Sequence, residues 1–365
     1  MSEELKKQTA APSRRIDYEY SRSLVAILRH HRLSLLVTTY QAGKLVVIGT
    51  REDSPELMLS YRNLSSPMGV AVRPESDSLA VGVDDQVWQF RNVPALADRL
   101  DPPRTYDACY LPRQAVYTGP IDAHEMAWCG GDLWVVNTLF SCLCTLDGVH
   151  NFVPRWKPAF VTALAAEDRC HLNGLALMDG WPGYVTVLGE TDTREGWRAG
   201  KSAGGCVIDI ASGSTVVRGL SMPHSPRVRD GELLLLESGR GRLVRADRAR
   251  SVVEPVAELP GYSRGLAFAG PYAFVGLSKF RQSSTPKSTF GNLPISERTT
   301  PLSCGVSVVE LSTGREVSRL EFHAGIDEIF DVQPLRNARN PWISGPHPST
   351  DDVPPIWVVP EPRGL

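Results

Sequence analysis

Six times along the chain a polar or otherwise distinctive residue heads a short apolar run that ends in a tight turn, and a second apolar run follows. The heads are Met68 in MGVAV, His124 in HEMAW, Asn173 in NGLAL, His224 in HSPRV, Arg264 in RGLAF and Glu328 in EIFDV. The turns include CGGD from Cys129, MDGWPG from Met178, RDGE from Arg229 and AGP from Ala269. Intervals of 56, 49, 51, 40 and 64 residues separate the heads. Runs of strand length with turn signals between them, recurring at about 40–60 residues, predict an all-β repeat architecture with one four-stranded blade per repeat. This is a six-bladed β-propeller.

Within the repeat that starts at Asn173, strands are expected at 174–177, 184–188, 206–210 and 214–218. The repeat from Arg264 has the same order, with an insertion at 279–304 between its second and third strands. After Glu328 only one strand follows clearly. Runs 33–40, 44–50 and 56–62 supply the missing three, so N-terminal strands pair with a C-terminal strand and close the ring without an open edge. Residues 356–359 are a spare strand, expected to cap the closing blade. Residues 1–17 are expected to be disordered or extended, 18–340 to form the propeller, and 341–365 to form a Pro-rich tail. The single amphipathic helical pattern runs from Tyr18 to His31, which places His30 and His31 at a helix end.

Composition removes several functions. Lys and Arg number 39 against 41 Asp and Glu, a net charge of −2, and no basic run is interleaved with aromatics. Neither nucleic acid nor a membrane surface is an expected partner. The longest apolar runs are strand-sized, and the polar N-terminus has no signal-like core. With seven cysteines, an odd number, this fits reduced thiols and a cytoplasmic setting. Cys142 and Cys144 alternate along a strand and read as buried thiols. No Gly-x-Ser-x-Gly elbow is present, and Gly239-Arg240-Gly241 lacks the strand-to-helix setting of a phosphate loop.

In a propeller the innermost strand of each blade lines the axial channel. The six heads therefore gather on one face with the ends of the second strands, among them Tyr40, Glu190 and Lys279. His124, His224, Arg264 and Glu328 are the candidate catalytic residues. Met68, Asn173, His171, Glu190, Lys279 and Tyr40 are the candidate substrate contacts. Two imidazoles and a carboxylate, His124, His224 and Glu328, form a candidate set for one divalent metal ion. Arg264 would orient an anionic group. Channel histidines also satisfy buried backbone, and Arg264 with Glu328 also reads as a buried ion pair. Glu125, next to His124 on a strand, is expected to point elsewhere. The insertion carries Lys279, Arg281, Lys287 and Arg298 and is a candidate lid or interface.

The segments LLVTTYQAGKLVVIG (35–49), HLNGLAL (171–177), MPHSPRVRDGELLLLESG (222–239), LPGYSRGLAFAGPYAFVGLSK (259–279) and EIFDVQ (328–333) resemble a bacterial family of β-propeller type whose function is unknown. The resemblance spans nearly all of 20–345. It implies a propeller in a bacterial cytoplasm and brings no activity with it. Val228 and Leu236 depart from the family pattern, outside the candidate site. His171-Leu172-Asn173 is also similar to the His-x-Asn motif of bacterial arylsulfate sulfotransferases, a three-residue match that implies sulfuryl transfer. Propeller lyases and lactonases with a central ion are a further analogy of fold. The expectation is a small-molecule enzyme of hydrolase, lyase or isomerase type acting on a small polar or anionic molecule. A non-catalytic ligand-binding or protein-interaction propeller is the alternative.

Overall fold

The computed structural model describes residues 15–279 and 291–360. Its strands form six sheets, each built on four antiparallel strands, arranged as a six-bladed β-propeller. The first blade closes the ring as the sequence implies. Its inner strand is Asp331–Arg336, followed outward by Leu33–Thr39, Lys44–Thr50 and Leu57–Asn63. The inner strands of the second to sixth blades are Val70–Val72, Ala123–Cys129, Leu172–Met178, Pro223–Arg229 and Tyr262–Ala269.

The apolar runs are continuous rather than alternating because both faces of every blade are covered. Successive side chains of a strand therefore enter different interfaces. Leu35 and Val37 pack between the first and sixth blades, whereas Leu36 packs between the first and second. In the fifth blade Leu233 and Leu235 meet the fourth, while Leu234 and Leu236 meet the sixth. The same alternation buries Cys142 and Cys144 on one side and Leu143 on the other. All seven cysteines are buried and unpaired, and burial pushes the Cys142 thiol up to about 12.

Short hydroxyl side chains pin neighbouring blades at the ends of the second strands. Thr38 Oγ1 donates to the Met68 carbonyl at 2.5 Å, Thr138 Oγ1 to Leu172 at 2.5 Å, and Ser238 Oγ to Ser263 at 2.5 Å. Ser278 Oγ does the same to Ile329 at 3.1 Å. Each bond fixes the chain just where an inner strand begins.

The glycines in MGVAV and RGLAF mark where inner strands crowd at the axis. A Cβ on Gly69 would lie 2.9 Å from the Glu125 Cα, and one on Gly265 would lie 2.4 Å from the Val332 nitrogen. Gly265 also has a φ of +78°, which favours glycine.

Two expectations change in detail. The helix spans Arg22–His30 only, because Asp17–Tyr20 instead pairs with the outer strand Arg315–Ala324 of the sixth blade. Leu24, Val25, Ile27 and Leu28 anchor that helix in the core cluster between the sixth and first blades. Residues 356–359 form no strand. The added strand is Pro341–Ile343, parallel to Ala108–Tyr110 on the outer edge of the second blade, with Ile356 packed nearby against the Tyr106 and Trp342 cluster. Residues 1–14 and 280–290, including Arg281 and Lys287, lie outside the described residues. Among the described residues no helix is long and apolar enough to cross a membrane.

Candidate functional site

The starts of the inner strands define one mouth of the channel, here called the upper mouth. In four blades a non-glycine residue with left-handed backbone stands two positions before the ring residue. These are Ser66 (φ 45°), Asp122 (φ 51°), His171 (φ 49°) and Met222 (φ 52°), preceding Met68, His124, Asn173 and His224. Such a conformation costs roughly 1–2 kcal/mol at a non-glycine residue, so the surrounding structure must hold it. In two blades the turned carbonyl meets the imidazole that follows. His124 Nδ1 lies 3.1 Å from the Asp122 carbonyl, and His224 Nδ1 lies 2.9 Å from that of Met222.

A carbonyl oxygen only accepts, so both Nδ1 atoms carry hydrogen and both Nε2 atoms keep a lone pair. His224 Nδ1 is also 3.0 Å from Ser238 Oγ, whose own hydrogen goes to Ser263. Burial is the main force holding both imidazoles well below the usual histidine range. His171 and then Arg264 add to it at His124, and Arg264 and then His171 at His224. Both rings are neutral at neutral pH.

His171 is arranged differently. Its Nδ1 lies 2.8 Å from Asp168 Oδ2, and the same oxygen accepts the indole N–H of Trp197 at 2.9 Å. The carboxylate only accepts, so it orients the ring with hydrogen on Nδ1, and in the neutral form of the ring Nε2 is the acceptor. The His171 ring lies 4.4 Å from that of Trp197 and 4.9 Å from that of His124, edge to face with the latter. Trp197 is fully buried with Leu188, Met222, Tyr262, Leu293 and Ile295. The described part of the insertion therefore braces the histidines from behind. Arg298 ties it down by donating to the Arg240 carbonyl at 2.6 Å.

The guanidinium carbon of Arg264 stands over Phe330, 3.8 Å from the ring centre, and the group lies 3.7 Å from Glu328 Oε1. Phe330 also meets His124 at 5.1 Å and Tyr40 at 5.8 Å, so it sits among the ring residues. Asp331 accepts the Val70 N–H of the next blade, just as Glu125 accepts that of Leu175. Asp331 is therefore the counterpart of Glu125, and Phe330 rather than Glu328 is the counterpart of His124. The repeat register in the first blade is two residues later than the sequence pattern suggested.

Of the other expected contacts, Asn173 is buried, with Oδ1 accepting from Thr186 Oγ1 at 2.7 Å. Its Nδ2 has no partner among the described residues. Met68 is buried at its ring position. Glu190 does not join the ring. It turns to the outer strand of its own blade and accepts from Arg218 and Thr215, each at 2.7 Å. Lys279 also turns aside, to the Phe322 carbonyl at 3.2 Å and Asp327 at 3.6 Å.

Among the described residues no three of His, Cys, Asp and Glu are grouped so as to hold an ion, and Glu328 lies 3.7 Å from Arg264. Sequence reasoning missed Phe330, Trp197 and Asp168. Only Asp168 carried a local signal, three residues before His171.

No curated protein matches the chain. Among solved structures, a nidogen/laminin complex contains a chain that superposes with a TM-score of 0.53 at 10% identity, over 84% of this chain and 99% of that one. Virginiamycin B lyase from Staphylococcus aureus superposes with a TM-score of 0.37 at 12% identity, over 65% and 71%. At such identities the likeness to the first concerns the fold alone, and the second supports no argument. A family profile matches residues 22–343, and by that match the chain belongs to the family described as domain of unknown function DUF4915.

Proposed function

We propose that the upper mouth is the active site of an enzyme that moves a proton on a small polar, anionic molecule, with His171 as the acid–base group. The observation that carries this reading is the Asp168–His171 pair at 2.8 Å, which fixes the tautomer and leaves Nε2 as a base beside the neutral His124 ring. A carboxylate behind an imidazole stabilises the imidazolium that forms when the base takes a proton. Arg264, lying over Phe330, supplies the cation for an anionic group, and Asn173 Nδ2 supplies a donor. His124 and His224 act as neutral acceptors, because a second charge would have to enter the same desolvated space. Proton abstraction or return suits a lyase, isomerase or hydrolase and requires no metal bound by His124, His224 and Glu328.

The test is incubation of the purified protein with a small-molecule cell extract in D2O, followed by mass spectrometry. The expected result is at least one anionic metabolite that is consumed, or that gains deuterium, with the wild type and at least 100-fold more slowly with His171→Gln and with Asp168→Asn. Equal rates in all three proteins would overturn the assignment.

A further inference from the structure

The lower mouth of the same channel has its own polar group, which the proposed chemistry does not use. Glu125 is 4% exposed, and its Oε2 accepts the Leu175 N–H at 3.0 Å while Oε1 pairs with Arg227. The pair borders a cavity of about 250 Å³ with apolar walls that include Trp128, Leu175 and Leu177. A second cavity of about 470 Å³ shares Arg227, Val228 and Gln333 with the first and adds Arg229 and Arg336. The two make one groove in which guanidinium meets apolar wall.

A buried Arg–Glu pair in a pocket is open to a bland reading, as a clamp between the third and fifth blades. Three observations go beyond a clamp. Arg229 and Arg336 hold backbone carbonyls, those of Gly270 at 2.7 Å and Phe268 at 2.9 Å, and Arg229 also pairs with Asp230 at 3.2 Å, so the groove lining carries three guanidinium groups against the two carboxylates of Glu125 and Asp230. Two donors in the lining, Trp128 Nε1 and Arg229 Nη1, are buried and have no partner among the described residues. A buried donor without an acceptor is costly and marks a place where an acceptor belongs. The third observation is that Arg227 already grips a carboxylate against the apolar wall, the geometry in which a ligand carboxylate would bind.

We infer that the lower mouth is a binding site for a small organic carboxylate with an apolar body, and that Glu125 occupies the carboxylate position on Arg227 until the ligand displaces it. The apolar body lies against Trp128, Leu175 and Leu177, and Arg229 supplies the longer-range attraction.

Equilibrium dialysis with radiolabelled benzoate tests this on the full chain, with neutral benzamide as the competitor that should fail. The expected result is saturable binding of one benzoate per chain, not displaced by benzamide, accompanied by fluorescence quenching that Trp128→Phe removes. Arg227→Gln should weaken binding at least tenfold, and Arg229→Gln about threefold. Glu125→Gln keeps Arg227 and removes the internal competitor, so it should tighten binding several-fold. The inference is overturned if wild type and Glu125→Gln both fail to bind, if benzamide displaces benzoate, or if Glu125→Gln binds no more tightly than wild type. Quenching that survives Trp128→Phe would also overturn it, because the probe would then sit elsewhere.

Discussion

The two mouths of the channel use the same six strands for opposite electrostatic purposes. At the upper mouth buried bases are kept neutral: His124 and His224 are pushed well below the usual range. At the lower mouth buried acids are pushed the other way. Desolvation raises Glu125 to about 7 and also raises Asp331, although Arg227 pulls both down. Arg227 and Glu125 face each other directly, yet burial outweighs the attraction. The lesson is that the narrow channel disfavours charge at both ends, and each end relieves it according to the groups it holds.

The largest expected effect breaks the lower mouth. Arg227→Leu strands Glu125 without its cation and should lower stability by about 3–5 kcal/mol at pH 8, measured by urea denaturation. At pH 5, where Glu125 is protonated, the loss should be clearly smaller. An equal loss at both values would remove the charge argument. Next in size is Gly265→Val, which forces a Cβ onto the backbone of the first blade at a positive φ. It should cost more than about 2 kcal/mol in the same assay, and a neutral result would contradict the crowding at the axis. His224→Leu removes a donor from Met222 and Ser238 and should cost about 1–3 kcal/mol.

The pH dependence sharpens the comparison. Below the ordinary histidine value of 6.5 the unfolded chain binds protons that the buried His124 and His224 refuse, so stability falls as pH falls. Between the ordinary Glu value of 4.5 and about 7 the folded chain holds a proton on Glu125 that the unfolded chain releases, so this group makes stability fall as pH rises. The two slopes oppose each other across their shared window. A His124→Gln, His224→Gln double variant should flatten the acid arm, and Glu125→Gln should steepen it, in denaturation curves taken from pH 4.5 to 8. The smallest effect is Glu190→Gln. It removes a surface pair with Arg218 and should change stability by less than about 1 kcal/mol.

The ring of blades was legible in the sequence because each repeat brings its own strand lengths and turns, and the five intervals between the six heads do not depend on distant contacts. His124, Asn173, His224 and Arg264 followed from the same alignment. The first blade misled because its ring residue is Phe330, and the polar Glu328, two positions before it, drew the register two residues too early. Strict strand alternation turned Glu125 away from the channel. The inner strand instead shifts register opposite Val135 and Asn137, and that irregularity lets the adjacent His124 and Glu125 serve opposite mouths. Trp197 arrives on the short helical turn Gly196–Gly200 between the second and third strands of the same blade, and no local pattern marks it.

The account rests on the tautomer of His171. Nitrogen-15 NMR of ring-labelled histidine, assigned with His171→Gln, reports which ring nitrogen carries the proton. The expected result is hydrogen on Nδ1 and a free Nε2 in the wild type, with that preference weakened or lost in Asp168→Asn. Hydrogen on Nε2 in the wild type, or a tautomer unmoved by Asp168→Asn, would contradict it.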